Sequence, residues 1–215
     1  MISYVDQGLA AIAIGLIVLI LLIGYRPSLT DARGGKVLAF LAFFILPILV
    51  TWVGTSQHLQ HSKSTGFCLS CHVMEPYGQS LRIDDPSHVP AVHYQNNLIS
   101  RDETCYTCHT SYTMFGDVKS KLQGMRHVYI YYLGTVSDPI ELYEPYQNRE
   151  CLHCHDGSRS FEEQELHADI RAEIASNETS CLECHGDIHD VHSLPEKPMW
   201  TGPEPATPAN PGGAP

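Results

Sequence analysis

The chain has 215 residues, 24 acidic against 13 basic side chains, and a formal charge of −11. That length suits one domain plus an anchor. The acidic balance argues against a nucleic-acid partner, which needs a basic surface, and favours a basic protein partner.

Two apolar runs open the chain, Gly8 to Gly24 and Val37 to Val53, and neither holds a charge. Each approaches the roughly 17–25 residues that a membrane-spanning helix needs. Pro47 is expected to kink the second, which a membrane helix tolerates. The leader before the first run has no Lys or Arg, unlike a signal peptide, and no small-residue cleavage site follows. Arg26, Arg33 and Lys36 lie between the runs, where a cytoplasmic loop carries its bases. The N-terminus and everything after about Thr55 are then expected outside, on the periplasmic face of a bacterial inner membrane. Beyond the anchor no alternating strand pattern appears. Helices are expected at 116–133 and 160–176. Apolar faces are too few to build an ordinary core. The tail from Pro195 to Pro215 is rich in Pro, Gly and Ala, which predicts disorder.

All 8 cysteines fall into C-x-x-C-H motifs: Cys68/Cys71/His72, Cys105/Cys108/His109, Cys151/Cys154/His155 and Cys181/Cys184/His185. In this motif both thiols add to haem vinyl groups, and the next histidine ligates the iron. Zinc sites and disulfides are the alternatives, but neither explains a histidine after every pair. Four covalently bound haem c groups are therefore expected. The fold class expected is all-α. A two-helix transmembrane hairpin (1–54, helices at about 8–24 and 37–53) precedes a small multihaem c-type domain (55–194). That domain has a haem-packed core and little strand, and the tail (195–215) follows. Nine further histidines are available as second axial ligands: His58, His61, His88, His93, His127, His153, His167, His189 and His192. Bis-histidine ligation suits electron transfer, and a Met ligand raises the potential.

A membrane helix leading into CLSCHVM (68–74), followed by three more CxxCH motifs, resembles the NapC/NirT family over roughly residues 37–194. These are membrane-anchored tetrahaem quinol dehydrogenases that include the small subunit of cytochrome c nitrite reductase. The resemblance implies that Met74 replaces His72 at the first iron or only packs on the porphyrin. It makes His93, ahead of the second motif, a distal ligand in preference to His88. It gives His167 the same role before the last motif, and one of His189 and His192 after it. His127 stands where the nitrite-reductase subunit has an acid over the first haem. It is expected to ligate the first iron, or else to accept a quinol proton. Lys121, and less so Lys119, resembles the family's lysine near the quinol head group. His58 and His61 read as lipid-boundary residues, and His153 as incidental.

Function is expected to follow: menaquinol or ubiquinol as donor, and a periplasmic reductase or soluble cytochrome as acceptor. A different class is a pure relay subunit docked on an integral membrane complex, which the additional first helix and His127 would explain. A reductase in its own right would need an open iron, and the histidine supply argues against that.

Overall fold

The computed structural model describes residues 4–140, 142–186 and 188–202. The chain divides into two compact units, one through Lys63 and one from Ser64.

The first unit follows from apolar runs that have no polar face. Helix α1 spans Tyr4–Tyr25 and a 3-10 turn covers Pro27–Thr30. Helix α2 (Arg33–Phe40) then continues through Leu41–Ile45 into α3 (Leu46–His61), so that Arg33–His61 is one span. Helix α1 packs along α3, and Ala42 and Ile23 are buried. Most other large apolar side chains point outward. Ile14, Leu21, Phe44, Ile48 and Trp52 are each more than half exposed. An all-round apolar, outward-facing hairpin is the pattern of a membrane anchor, not of a soluble core. The expected kink at Pro47 takes the form of a π-helical stretch at Leu41–Ile45. Proline lacks the amide that would bond the Phe43 carbonyl, and its ring crowds that oxygen, so the preceding turn widens. Gly35 lies where a Cβ would strike the Leu29 carbonyl, so the tight turn before α2 needs glycine. The second span runs past Val53 to His61, so the anchor is longer than the sequence pattern predicts.

The second unit is a set of short helices joined by loops. They are α4 (Thr65–Cys68), α5 (Glu75–Ser80), α6 (Val89–Gln95), α7 (Thr104–Cys108), α8 (Gly116–Leu133) and α9 (Asn148–His155). After them come α10 (Arg159–Glu162), α11 (Glu165–Asp169), α12 (Arg171–Ser176) and α13 (Cys181–His185). Among the described residues there is no strand, only an isolated bridge between Ile83 and Met199. The expected helix at 116–133 is present. The one expected at 160–176 is three helices instead. Ile170 leaves helical geometry (φ −105°, ψ 17°), and the His167 ring takes the Phe161 carbonyl. One continuous helix would not point Phe161, His167 and Ile174 inward together.

Buried apolar side chains in this unit are few: Leu81, Ile83, Ala91, Tyr94, Phe161 and Ile174. Most cluster around α5 and α6. The tail expected to be disordered from Pro195 closes that cluster as far as Gly202. The Trp200 amide donates to the Arg82 carbonyl at 2.7 Å, and the Asp84 amide to that of Pro198 at 2.8 Å. Arg101 stacks on both Tyr94 and Trp200, and Lys197 pairs with Asp190 at 2.9 Å. The rest of that expectation, 203–215, lies outside the described residues.

Candidate cofactor site

The second, third and fourth CxxCH motifs ride on helical turns, whereas in the first Cys68 ends α4 and Cys71 is extended (φ −90°, ψ 122°). Positions i, i+3 and i+4 share one helix face, so both thiols and the following imidazole project the same way. Helix α4 ends at Cys68, and His72 opens a 3-10 turn that runs to Met74. Helix α7 carries Cys105 and Cys108, with His109 at its C-cap; α9 and α13 each end on their motif histidine. Ser64 caps α4 by accepting the Phe67 amide at 3.1 Å, and Ser180 with Glu183 forms a capping box on α13. All eight thiols are free, so the motifs make no disulfide. Among the described residues no three His, Cys, Asp or Glu side chains converge on one point, as a tetrahedral zinc site requires.

The thiols do not share one environment. Cys68, Cys105, Cys108, Cys151 and Cys181 are half-buried, whereas Cys71, Cys154 and Cys184 are exposed. The reason is local. The first cysteine of each motif is tucked against a neighbouring motif. Cys71, Cys154 and Cys184 come three residues later, at or just past the end of a short helix. These three are surface thiols of the polypeptide, not core residues. Thioether formation needs a reachable sulfur, so their exposure suits attachment at a haem edge and leaves the burial to the first cysteine and the histidines.

The histidines converge in twos. The rings of His109 and His189 have centroids 6.1 Å apart and are nearly parallel, at 8°. Those of His93 and His155 lie 5.9 Å apart at 75°, and those of His167 and His185 6.3 Å apart at 48°. Two imidazoles bound to one metal through bonds of about 2 Å put their centroids roughly 6 Å apart. Each motif histidine of the second, third and fourth motifs thus faces a second histidine from elsewhere in the chain.

Hydrogen bonding sets which nitrogen those second histidines offer. His93 Nδ1 lies 2.7 Å from the Val89 carbonyl and His167 Nδ1 3.1 Å from that of Phe161. A carbonyl only accepts, so Nδ1 carries the proton and Nε2 the lone pair. His189 Nδ1 lies 2.8 Å from Ser80 Oγ, whose own proton goes to the Tyr77 carbonyl at 2.7 Å. His189 therefore donates there too. Metal-binding histidines are oriented in this way. Burial pushes His109 and His155 below the ordinary imidazole range, with neighbouring histidines adding to it, which favours the neutral, ligating form.

Four pairs of thiols, histidines facing across a metal's width and a thin apolar core fit covalent haem. Residues 32–197 match the model of the NapC/NirT cytochrome c family, N-terminal region. The chain belongs to this family. It is 26% identical over 165 residues to the cytochrome c-type protein NapC of Haemophilus influenzae, covering 69% of this chain and 76% of that one. It is 28% identical over 188 residues to the denitrification system component NirT of Stutzerimonas stutzeri, covering 80% and 87%. The match to the cytochrome c-type protein TorC of Escherichia coli is 27% over 178 residues, covering 75% of this chain but 43% of that protein. No solved structure matches the chain.

Within this NapC/NirT chain the first motif stands apart. His72 meets not a second histidine but Tyr131, with ring centroids 5.9 Å apart. His127, expected to ligate the first iron, has its ring against Tyr143. His127 lies one turn before Tyr131 on α8, its Nδ1 2.9 Å from the Tyr143 hydroxyl and its ring 4.3 Å from that of Tyr143. Burial, then the Arg126 charge, pushes its pKa down. Met74 is half-buried on the same 3-10 turn as His72. Lys121 sits 4.4 Å above the Tyr106 ring, and its charge, after the Cys105 hydrogen bond, helps hold the Cys68 thiol below its usual range. Lys119 instead pairs with Glu144 at 2.7 Å.

Of the remaining histidines, His192 is exposed, His58 and His61 end α3, and His88 is buried at the N-cap of α6. His153 is not idle: its ring stacks on Tyr112 at 3.7 Å. Sequence reasoning also missed Thr65 and Asn148, each three residues before the first cysteine of a motif. Buried Thr65 donates to the Arg101 carbonyl at 2.8 Å and accepts the Thr104 amide at 2.9 Å. Buried Asn148 donates to the carbonyls of Ile174 and Thr179 and accepts the Cys181 amide at 2.9 Å. One residue thus ties motif one to motif two, and the other ties motif three to motif four. Cys68 and Cys105 share a hydrogen bond as a result, and so do Cys151 and Cys181. Between the pairs, the Tyr146 hydroxyl donates to the Cys108 carbonyl at 2.6 Å and the Tyr112 amide to Glu150 at 2.9 Å. The shared offset of a polar residue from the cysteine is the one sequence signal that pointed to these ties.

Proposed function

We propose that this chain is a four-haem quinol dehydrogenase, anchored in the inner membrane with its haem domain periplasmic, that hands electrons to a periplasmic reductase or soluble cytochrome. The observation that carries the reading is the facing of His109 with His189, His93 with His155 and His167 with His185. Haem c, when bound through the eight thioethers, supplies the one-electron redox change. The protein's residues supply position. The three pairs offer two imidazoles per site, which closes those sites to substrate. His189 takes the role for which His192 was the alternative. Neighbour relations follow sequence order, from motif one through motif four, so a continuous route runs through the domain.

At the first motif the residues differ, and this supports entry of the donor there. Helix α8 lines up Lys121, His127 and Tyr131 beside motifs one and two. A quinol losing two electrons must also lose two protons. His127, neutral and held by Tyr143, is the base placed to take one. Lys121 orients the head group. The bases between the membrane helices, Arg26, Arg33 and Lys36, support a cytoplasmic turn and therefore a periplasmic N-terminus.

The additional helix α1 favours a second reading, a relay subunit whose anchor docks on another membrane protein. The two part on one experiment, in which purified full-length protein is mixed with a reduced menaquinol analogue. The first reading expects rapid haem reduction, blocked by a quinone-site inhibitor and slowed in Lys121→Ala. Reduction only after a membrane partner is added would overturn it in favour of the relay.

A further inference from the structure

Helix α8 is amphipathic in the wrong sense for a soluble domain. At about 100° per residue, Phe115, Val118, Leu122, Met125, Tyr129 and Tyr132 fall within an arc of about 100°. All six are more than half exposed. The opposite side faces the domain and is polar. There the Tyr106 hydroxyl donates to Asp117 at 2.6 Å, the Ser111 amide to Ser120 at 3.0 Å, and His127 meets Tyr143. A surface helix normally buries its apolar stripe and shows its polar one. A contiguous apolar face of this kind marks an interaction site.

Charge identifies what covers it. The chain carries −11 overall, yet α8 holds Lys119, Lys121 and Arg126 against the single acid Asp117. By the same helical geometry these bases flank the apolar arc, Lys119 and Arg126 on one side and Lys121 on the other. Lys119 is paired with Glu144, whereas Arg126 and Lys121 lie over the rings of Tyr143 and Tyr106 and keep their charges unpaired by these contacts. Apolar stripe, bordering bases and tyrosines near one end are the composition of a helix lying in a lipid interface. The second unit starts at Ser64, two residues on from His61, the last residue of α3. A protein groove would leave the bordering bases unexplained.

We infer that α8 is a monotopic membrane-surface helix: its outward face, from Phe115 to Tyr132, beds into the anionic lipid interface as a second membrane contact beside the α1–α3 anchor. This rests on the membrane anchor and not on the identity of the electron donor. It gives the acidic domain one orientation on a surface that otherwise repels it, with the inward face of α8 turned to the first two motifs.

The test uses full-length matured protein in phosphatidylglycerol/phosphatidylethanolamine nanodiscs containing a diazirine phospholipid, irradiated and mapped by peptide mass spectrometry. Labels are expected on the anchor and on residues 115–132, and not on α9–α12. The L122E/M125E variant should lose the α8 labels while keeping those on the anchor and an unchanged visible haem spectrum. An anchor that labels while wild-type α8 does not would overturn the inference and give the face to a protein partner. An unlabelled anchor would overturn the membrane reading itself. Neither result depends on quinol oxidation, so the donor assignment fails or stands separately.

Discussion

At the scale of the residue, the chemistry turns on which histidines meet. His189 and His192 are indistinguishable in a linear pattern, since both follow the last motif within a few positions. Only the fold separates them, because Ser80 and Tyr77 reach His189 from more than a hundred positions away. His189→Met is therefore expected to raise the potential of one haem, as methionine replaces imidazole, while His192→Met leaves all potentials unchanged. Potentiometric titration of both variants checks this. His127 gives a pH prediction. Its pKa is pushed down by burial and Arg126, so the neutral, proton-accepting form persists to lower pH than for an ordinary histidine. Quinol oxidation is expected to fall only as pH drops through that lowered value. His127→Gln should slow the reaction and remove this dependence in a stopped-flow pH series.

At the scale of the element, motif helices are too short to hold themselves, and buried polar ties do so. Asn148 is almost fully buried and serves an amide and two carbonyls at once. Asn148→Ala leaves those groups unsatisfied and is expected to cost about 2–4 kcal/mol. Denaturant unfolding of the haem-loaded protein, followed by the Soret band, measures it. Asn148→Asp, which keeps the Cys181 amide but turns a buried carboxylate onto the Ile174 and Thr179 carbonyls, should cost at least as much as Ala. Helix 116–133 was legible because no proline interrupts it and Gly134 ends it, even though Gly124, Val128 and Ile130 are weak helix formers. The stretch 160–176 was not. Its periodicity is helical, but Leu166 faces outward while Phe161 and Ile174 turn in, so the chain must break twice. The anchor was legible from hydropathy, whereas its extension to His61 was hidden by polar residues after Val53. The ordering of 194–202 rests on backbone bonds to Arg82 and Asp84, which composition does not reveal.

At the scale of the whole molecule, an apolar hairpin, a thin-cored domain and a strong acidic balance act together. Cysteine and histidine spacing made the cofactor class readable at once, because covalent attachment has a local signature. Spacing did not reveal that in the first, third and fourth motifs the two thiols differ in burial, since the ties at Cys68 and Cys151 come from other segments. Second ligands have no local signature either, and the inverted face of α8 reads as ordinary helix until its exposed side is known. If the acceptor is a basic soluble protein, the charge of −11 would steer it to the domain. Its reduction by the haem-loaded protein should slow markedly as salt rises from about 0.01 M to 0.15 M, where the screening length falls from about 30 to 8 Å. A rate indifferent to salt would point to an apolar or docked acceptor.

The proposed function requires haem on all four CxxCH motifs. Intact-mass spectrometry of the full-length chain, produced in a host with working cytochrome maturation and treated with an alkylating reagent, tests this directly. The exposed positions Cys71, Cys154 and Cys184 make the test sensitive, because a thiol left free there is within reach of the reagent. The result expected is a mass increment of four haems with no cysteine alkylated. Fewer haems, or any alkylated cysteine, would contradict it.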